Sequence, residues 1–290
     1  MKTAIRAALV CAAALASVNT THAEDHTEHS SMKQTLHFAG AGPHTLELRA
    51  ITGSIRVEAS NGPDVEMVVD RTVIADTEEA LRDADREVIL NTSDNAATVG
   101  GIVRERYQPS CGEQFHDGPW YRSEPRYEVR LDFTVRVPAD TRLQLCTIND
   151  GKVTVKGTRG EFSVRSVNGP ITMTDITGSG EAVTVDGPVQ VSFVSAPQAA
   201  SSFKTINGDV VVSFPDGLAA DLRMKSLNGG LYTDFDVQAL PAEALHTAQK
   251  RGGMSIYRTN GFTAVRVGNG GPGLTLQTLN GDVRVLRRAK

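Results

Sequence analysis

One short phrase recurs through the second half of the chain and leaves few folds open to it. It reads Thr147-Ile148-Asn149-Asp150-Gly151, Ser166-Val167-Asn168-Gly169, Thr184-Val185-Asp186-Gly187, Thr205-Ile206-Asn207-Gly208, Ser226-Leu227-Asn228-Gly229 and Thr278-Leu279-Asn280-Gly281. The first five Asn or Asp positions lie 19, 18, 21 and 21 residues apart. Alternating apolar runs follow most phrases, as in Val153-Thr154-Val155, Val189-Gln190-Val191, Val210-Val211-Val212 and Val283-Arg284-Val285. A fixed period near 20 with strand-like content marks a stacked repeat. Gly160 and Gly178 fall about halfway between the first phrases, so each coil is expected to hold two short strands joined by two turns.

The phrase suits a sharp corner. Asn and Gly tolerate positive φ at low steric cost, and an Asn side chain can bond nearby backbone. Asn149, Asn168, Asp186, Asn207, Asn228 and Asn280 are therefore the expected structural turns. A meander of Asn-Gly hairpins is the rival, but identical corners at full-coil intervals favour stacking about 4.8 Å apart, with an Asn ladder along the stack. The fold class expected is all-β: a single-stranded β-solenoid or β-helix with coils of about 20 residues and one or two short helical insertions.

The chain starts with Lys2 and Arg6, an apolar run from Ala7 to Val18, and Thr21-His22-Ala23. This is the pattern of a signal peptide over 1–23, and the run is too short to span a membrane. Without it, 28 basic and 34 acidic residues leave a net charge of −6. No basic stripe favours nucleic acid, and no transmembrane segment is expected after cleavage. Residues 24–33 are polar and read as a flexible tail, with the repeat domain over 34–290.

Three segments depart from the repeat. Asp76 with Glu79 resembles a capping box, and Ala80, Leu81, Ala84 and Val88 keep helical spacing, which predicts a helix over about 77–87. Proline near its start and Gly252-Gly253 at its end predict a second over about 241–251. The loop of about 107–126 lacks periodicity, and loops of that length are usually functional or pinned to something. It opens a cluster of five of the chain's 15 aromatics, Tyr107, Phe115, Trp120, Tyr121 and Tyr127. These rings could form a platform for a glycan or protein, or cap an open sheet edge. The loop also holds Cys111. In an oxidising compartment Cys111 and Cys146 form a disulfide; two buried thiols are the alternative.

Val135-Arg136-Val137-Pro138-Ala139, the phrases at Thr147 and Ser166, and Gly268-Asn269-Gly270-Gly271 ahead of Leu274 to Val283 resemble the bacterial "putative adhesin" β-strand-repeat family. The resemblance covers about Leu46 to Val285. It implies a single-chain β-solenoid in an exported or membrane-tethered protein of unknown function, and it supplies no catalytic residues.

Chemistry-bearing residues are sparse. Asp150, Asp175, Asp186, Asp209 and Asp282 could serve a carbohydrate-active β-helix enzyme as paired carboxylates, or calcium. Most of them occupy corners where Asp is wanted for backbone reasons. No nucleophile elbow or phosphate loop is present. Cleavage after Ala23 would put His26 third, where the amine, two amides and the imidazole suit Cu(II), with His29 nearby. The reading favoured is an exported, non-enzymatic envelope or surface protein without a cofactor, in the periplasm or at the cell surface, binding a glycan or protein or acting as a scaffold. A β-helix enzyme and a periplasmic metal-handling protein are the alternatives.

Overall fold

A computed structural model describes residues 26–38, 42–94, 97–104, 126–241, 249–251, 254–256 and 261–288. The described chain opens with β1 (His26–Leu36), β2 (Thr45–Arg49), β3 (Ile55–Ser60), β4 (Val65–Ala75) and helix α1 (Glu78–Glu87). Next come β5 (Ile89–Asp94), β6 (Thr98–Arg104) and β7 (Tyr127–Pro138). Strands then arrive in twos: β8 (Arg142–Thr147) with β9 (Val153–Lys156), β10 (Phe162–Ser166) with β11 (Ile171–Ile176), β12 (Gly180–Val183) with β13 (Val189–Phe193), β14 (Ser201–Lys204) with β15 (Val210–Phe214), and β16 (Ala220–Asn228) with β17 (Leu231–Thr233). The C-terminal part adds β18 (Val237–Ala239), the hairpin of β19 (Gln249–Arg251) and β20 (Met254–Ile256), β21 (Thr263–Val267), and a last two, β22 (Gly273–Asn280) and β23 (Val283–Arg287).

The protein is mostly β, built as two large sheets with one helix among the described residues. One sheet has the order β1-β4-β7-β3-β9-β11-β13-β15-β23-β17, the other β18-β21-β16-β22-β14-β12-β10-β8-β2-β6-β5. From β8 to β15 the chain alternates between them, so one strand from each sheet and the corner joining them make a rung. Successive rungs pair in parallel: Val153 with Ile171, Ile171 with Val189, Val189 with Val210. Because strand side chains alternate, every second residue points between the sheets. Val153, Val155, Ile171, Met173, Val189, Val210 and Val212 from one sheet meet Leu143, Val164, Ala182 and Phe203 from the other, all fully buried. Burying such a side chain stabilises by roughly 1.5–3 kcal/mol. Phe193 packs against Phe203 and Phe214, at centroid distances of 6.0 and 5.0 Å.

The expected single-stranded solenoid is met only in part. At the N-terminal end β4 pairs antiparallel with both β1 and β7, and β5 pairs antiparallel with β6. At the other end chain order and spatial order part company. The last rung, β22 with β23, lies between the β14–β15 rung and the β16–β17 rung. The 21-residue interval from Asn207 to Asn228 had implied that these two rungs touch.

Other expectations are corrected too. From His26 onward the flexible tail expected over 24–33 belongs to β1, which pairs along its whole length with β4. Backbone pairing needs no apolar side chains, and in β1 only Leu36 is buried. Helix α1 lies where the spacing put it, with Ala80 and Ala84 buried, but its cap is Thr77, whose hydroxyl accepts from the Ala80 amide at 3.2 Å; it is not Asp76. In the second helix expected over 241–251, Gln249–Arg251 is a strand, and 242–248 lies outside the described residues. The signal peptide and most of the aromatic loop also lie outside them.

Candidate functional site

The corner joining each strand of one sheet to the next strand of the other repeats from rung to rung, and each residue of the phrase has a separate task there. The opening Thr or Ser turns inward and donates its hydroxyl to a glycine carbonyl of the adjacent rung. Thr147 reaches Gly53 at 2.9 Å, Thr184 reaches Gly169 at 2.9 Å, Thr205 reaches Gly187 at 2.8 Å, Thr278 reaches Gly208 at 2.8 Å, and Ser226 reaches Gly281 at 2.7 Å. These hydroxyls would carry an unmet bonding group into the core without that partner, which costs about 1–3 kcal/mol.

The Asn positions form the expected ladder. Asn168 donates to Asn149 at 3.2 Å, Asn207 donates to Asp186, Asn280 to Asn207 at 2.7 Å, and Asn228 to Asn280 at 2.7 Å. Positive φ, however, is not their reason for being there. Among described residues other than glycine only Asp150, an extra residue in its corner, and Asp175 take left-handed φ. The left-handed backbone belongs to the glycines, Gly208 at 146° and Gly281 at 148°. A Cβ on Gly208 would lie 2.4 Å from the Gly187 carbonyl oxygen, and one on Gly281 2.2 Å from that of Gly208. Asn supplies the amide ladder, and glycine supplies the close approach of rung to rung.

The second residue of the phrase was not singled out from the sequence. Ile51, Ile148, Val167, Val185, Ile206, Leu279 and Leu227 sit side by side on adjacent rungs. Asn149 N donates to Ile51 O, Asn168 N to Ile148 O, Asp186 N to Val167 O, Asn207 N to Val185 O and Asn280 N to Ile206 O, at 2.6–2.8 Å. None of the seven is buried, and Ile206, Leu279 and Leu227 are 43%, 41% and 65% exposed. Seven rungs at strand spacing make an apolar stripe about 29 Å long. Its signal was an apolar residue held at one place of a turn phrase, where polar residues are the norm.

Polar groups border the stripe on both sides. On one, Arg49, Arg165, Lys204 and Lys225 share a row across the sheet. Arg165 pairs with Glu181. Burial opposes the charge of Glu181, but its bonds from Arg165 and Ser163 prevail and hold its carboxyl below the usual range. On the other side, Asp209 accepts from the Asp282 amide at 2.8 Å and from Arg284 at 3.0 Å, while Asp282 accepts from Gly230 N at 2.8 Å.

The carboxylates considered for catalysis are thus spread along the stack as turn and ladder partners, and Asp175, bonded to Arg288, lies at the opposite corner from Asp186. His26 and His29 are three apart in a strand, so they face opposite sides, and His29 Nδ1 lies 3.0 Å from the Thr72 hydroxyl. Tyr127 is half-buried and donates to Glu87 at 2.7 Å; Tyr107, Phe115, Trp120 and Tyr121 lie outside the described residues. So does Cys111. Cys146 takes an outward register position between Arg49 and Arg165, yet it is only 4% exposed. No helix of the described residues is long and apolar enough to cross a membrane.

No protein-family model and no curated protein matches this chain. Among solved structures it is similar to a "putative cell adhesion protein" from Clostridium sporogenes, at 9% identity and TM-score 0.37, covering 89% of this chain and 100% of that one. A "putative adhesin" from Bacteroides fragilis is similar at 8% identity and TM-score 0.37, with 89% and 97% covered. A "putative lipid binding protein" from Parabacteroides distasonis overlaps at 10% identity and TM-score 0.27, with the same coverage.

Proposed function

We propose that this chain is an exported, non-enzymatic β-solenoid of the cell envelope or surface, and that it binds a partner along its apolar corner stripe. The observation that carries the reading is the stripe itself. A repeated corner needs Thr or Ser, Asn and Gly for the bonds just described, but nothing in the corner needs an exposed Ile, Val or Leu. Exposed apolar area in one continuous line marks an interaction site. The amide ladder beside it offers polar groups at the same spacing, so a repetitive partner such as an envelope glycan could meet one rung per step.

The test uses the mature chain and purified peptidoglycan sacculi in a sedimentation assay. The parent is expected to sediment, and Ile206→Ser with Leu279→Ser is expected to reduce sedimentation about tenfold while leaving the melting temperature within a few degrees. Unchanged sedimentation of the double variant would remove the stripe from the function. Release of reducing sugar from the sacculi would replace binding by hydrolysis. Export is checked by the mature N-terminus, expected at Glu24. The accompanying Cys111–Cys146 bridge, which accounts for an outward yet covered Cys146, is checked by mapping peptides of the unreduced protein; two alkylated free thiols would exclude it.

A further inference from the structure

The displaced last rung divides the C-terminal quarter from the rest. The described residues of 218–288 form a unit that holds itself together. β16 is paired antiparallel with β21 on one side and parallel with β22 on the other, and β17 is paired with β23. Asp221 accepts two bonds from Arg266 at 2.7 and 2.8 Å, and Lys225 lies over the Phe262 ring.

Among the described residues, the unit docks on the body through one face. β22 pairs with β14 and β23 with β15, Asn280 donates to Asn207, and Thr278 to the Gly208 carbonyl. A strap reinforces the joint: Arg288 N donates to Phe214 O at 2.7 Å, and the Arg288 guanidinium reaches Asp175 and the Phe193 carbonyl. The covalent link is the loop Pro215-Asp216-Gly217-Leu218-Ala219. It has an unusual task. The link from β11 to β12, Thr177 to Ser179, climbs one rung, whereas this one passes over the docked rung and climbs two, about 10 Å. Gly217 takes φ 81° in it, with nothing within 4 Å of where its Cβ would be.

We infer that this unit is exchangeable between copies of the chain: the docking face of 218–288 seats on the β14–β15 rung of a second molecule, and that molecule's unit seats in return. The partner follows from the geometry. The surface that accepts the unit is complementary to the unit of any identical chain, rung register included, and one loop decides whether the two belong to the same molecule. A connection of five residues that must climb two rungs is short for its span, and short connections favour such exchange. Pairing of two copies would double the apolar stripe, although the inference rests on the docking geometry and not on what the stripe binds.

Two single variants of the full mature chain, Asn207→Cys and Asn280→Cys, decide it. Neither can close a 207–280 disulfide by itself, because those two positions meet only across the joint. The variants are mixed at high concentration, warmed to just below their melting point, cooled and oxidised. A 207–280 linked peptide, found by mass spectrometry in a dimer from the mixture and absent from each variant alone, is the expected result. Folded variants that give no such link would overturn exchange. A Gly-Ser-Gly-Ser insertion after Gly217, made in both variants, should relax the loop and lower the yield of linked dimer several-fold; an undiminished yield would show that collision, not exchange, made the link, and would also overturn the inference.

Discussion

The rungs from β8 to β15 and the rungs from β16 to β23 carry the same phrase, the same hydroxyl-to-carbonyl bonds and the same amide ladder, yet they stack by different rules. In the first set each rung lies on its predecessor. In the second the final rung slips between two that are consecutive in the chain. The phrase therefore specifies how a rung meets a neighbour, and leaves open which neighbour it meets. The packing differs most in the sheet where β17 is the edge strand. Leu274, Leu276, Val283 and Val285 are all fully buried at the joint, and so is Leu222 of β16, whereas Leu231 in β17 is only half-buried. The last rung also brings Arg284, which bridges Asp209 and Asp282, and the Arg288 strap.

If the phrase acts alike in both sets, its glycines should be equally indispensable. Gly187→Ala in the regular part and Gly281→Ala at the joint both force a Cβ within 3 Å of backbone atoms at left-handed φ. Each is expected to lose about 3 kcal/mol or more, read from urea unfolding. A mild effect at Gly281 alone would mean that the joint is looser than the regular stack.

The strap belongs to the second set only. Arg288→Ala should cost about 1–2 kcal/mol, because it removes a cation bonded to a carboxylate and a carbonyl. Hydrogen exchange should then rise in β22 and β23 ahead of β9 to β13. Uniform exchange across both sets would remove the strap as the feature that distinguishes them.

The ladder should discriminate more finely. Asn280 both donates and accepts, whereas Asn149 accepts from Asn168. Asn280→Ala is expected to cost about 1 kcal/mol and Asn149→Ala about half of that, in the same melts.

Acid should not separate the sets at all. Burial opposes the charge of Asp132, but its bonds from Arg130 and Ser54 prevail and hold it below the usual carboxylate range. Glu181 is lowered in the same way, and Asp221 is lowered by its bond to Arg266. A carboxyl with a depressed folded pKa contributes stability that is complete above the unfolded value, about 4, and is lost as pH falls through the folded one. Denaturant midpoints are therefore expected to hold from pH 7 to about 5 and to drop below 4, by less than about 1 kcal/mol for each of Asp132 and Glu181. Both sets should weaken together; selective loss of β16 to β23 on acidification would contradict the comparison.

The sequence made the parallel rungs, their period, the Asn ladder and helix α1 legible, because each depends on residues close together in the chain. It hid three things. Side-chain polarity said nothing of β1, whose order comes from the free edge of β4. The apolar stripe was hidden because Ile206 and Leu279 look like core residues until the corner turns them outward. The place of the last rung was hidden because Asn228 and Asn280 bear the same phrase, and only the packing of whole rungs tells them apart.

The inserted rung also fixes when the molecule can be finished. Residues 273–288 are synthesised after every other described rung. Until they arrive, the β14–β15 rung is paired with β12–β13 on one side only, and the β16–β17 rung, with its matching phrase, is the nearest substitute for the other. Contacts between residues far apart in sequence form slowly, and an unpaired rung is a template for other chains in the meantime. Completion of the stack thus waits for residues 273–288. A chain halted before Gly273 would keep most of its rungs and still lack the piece that closes it.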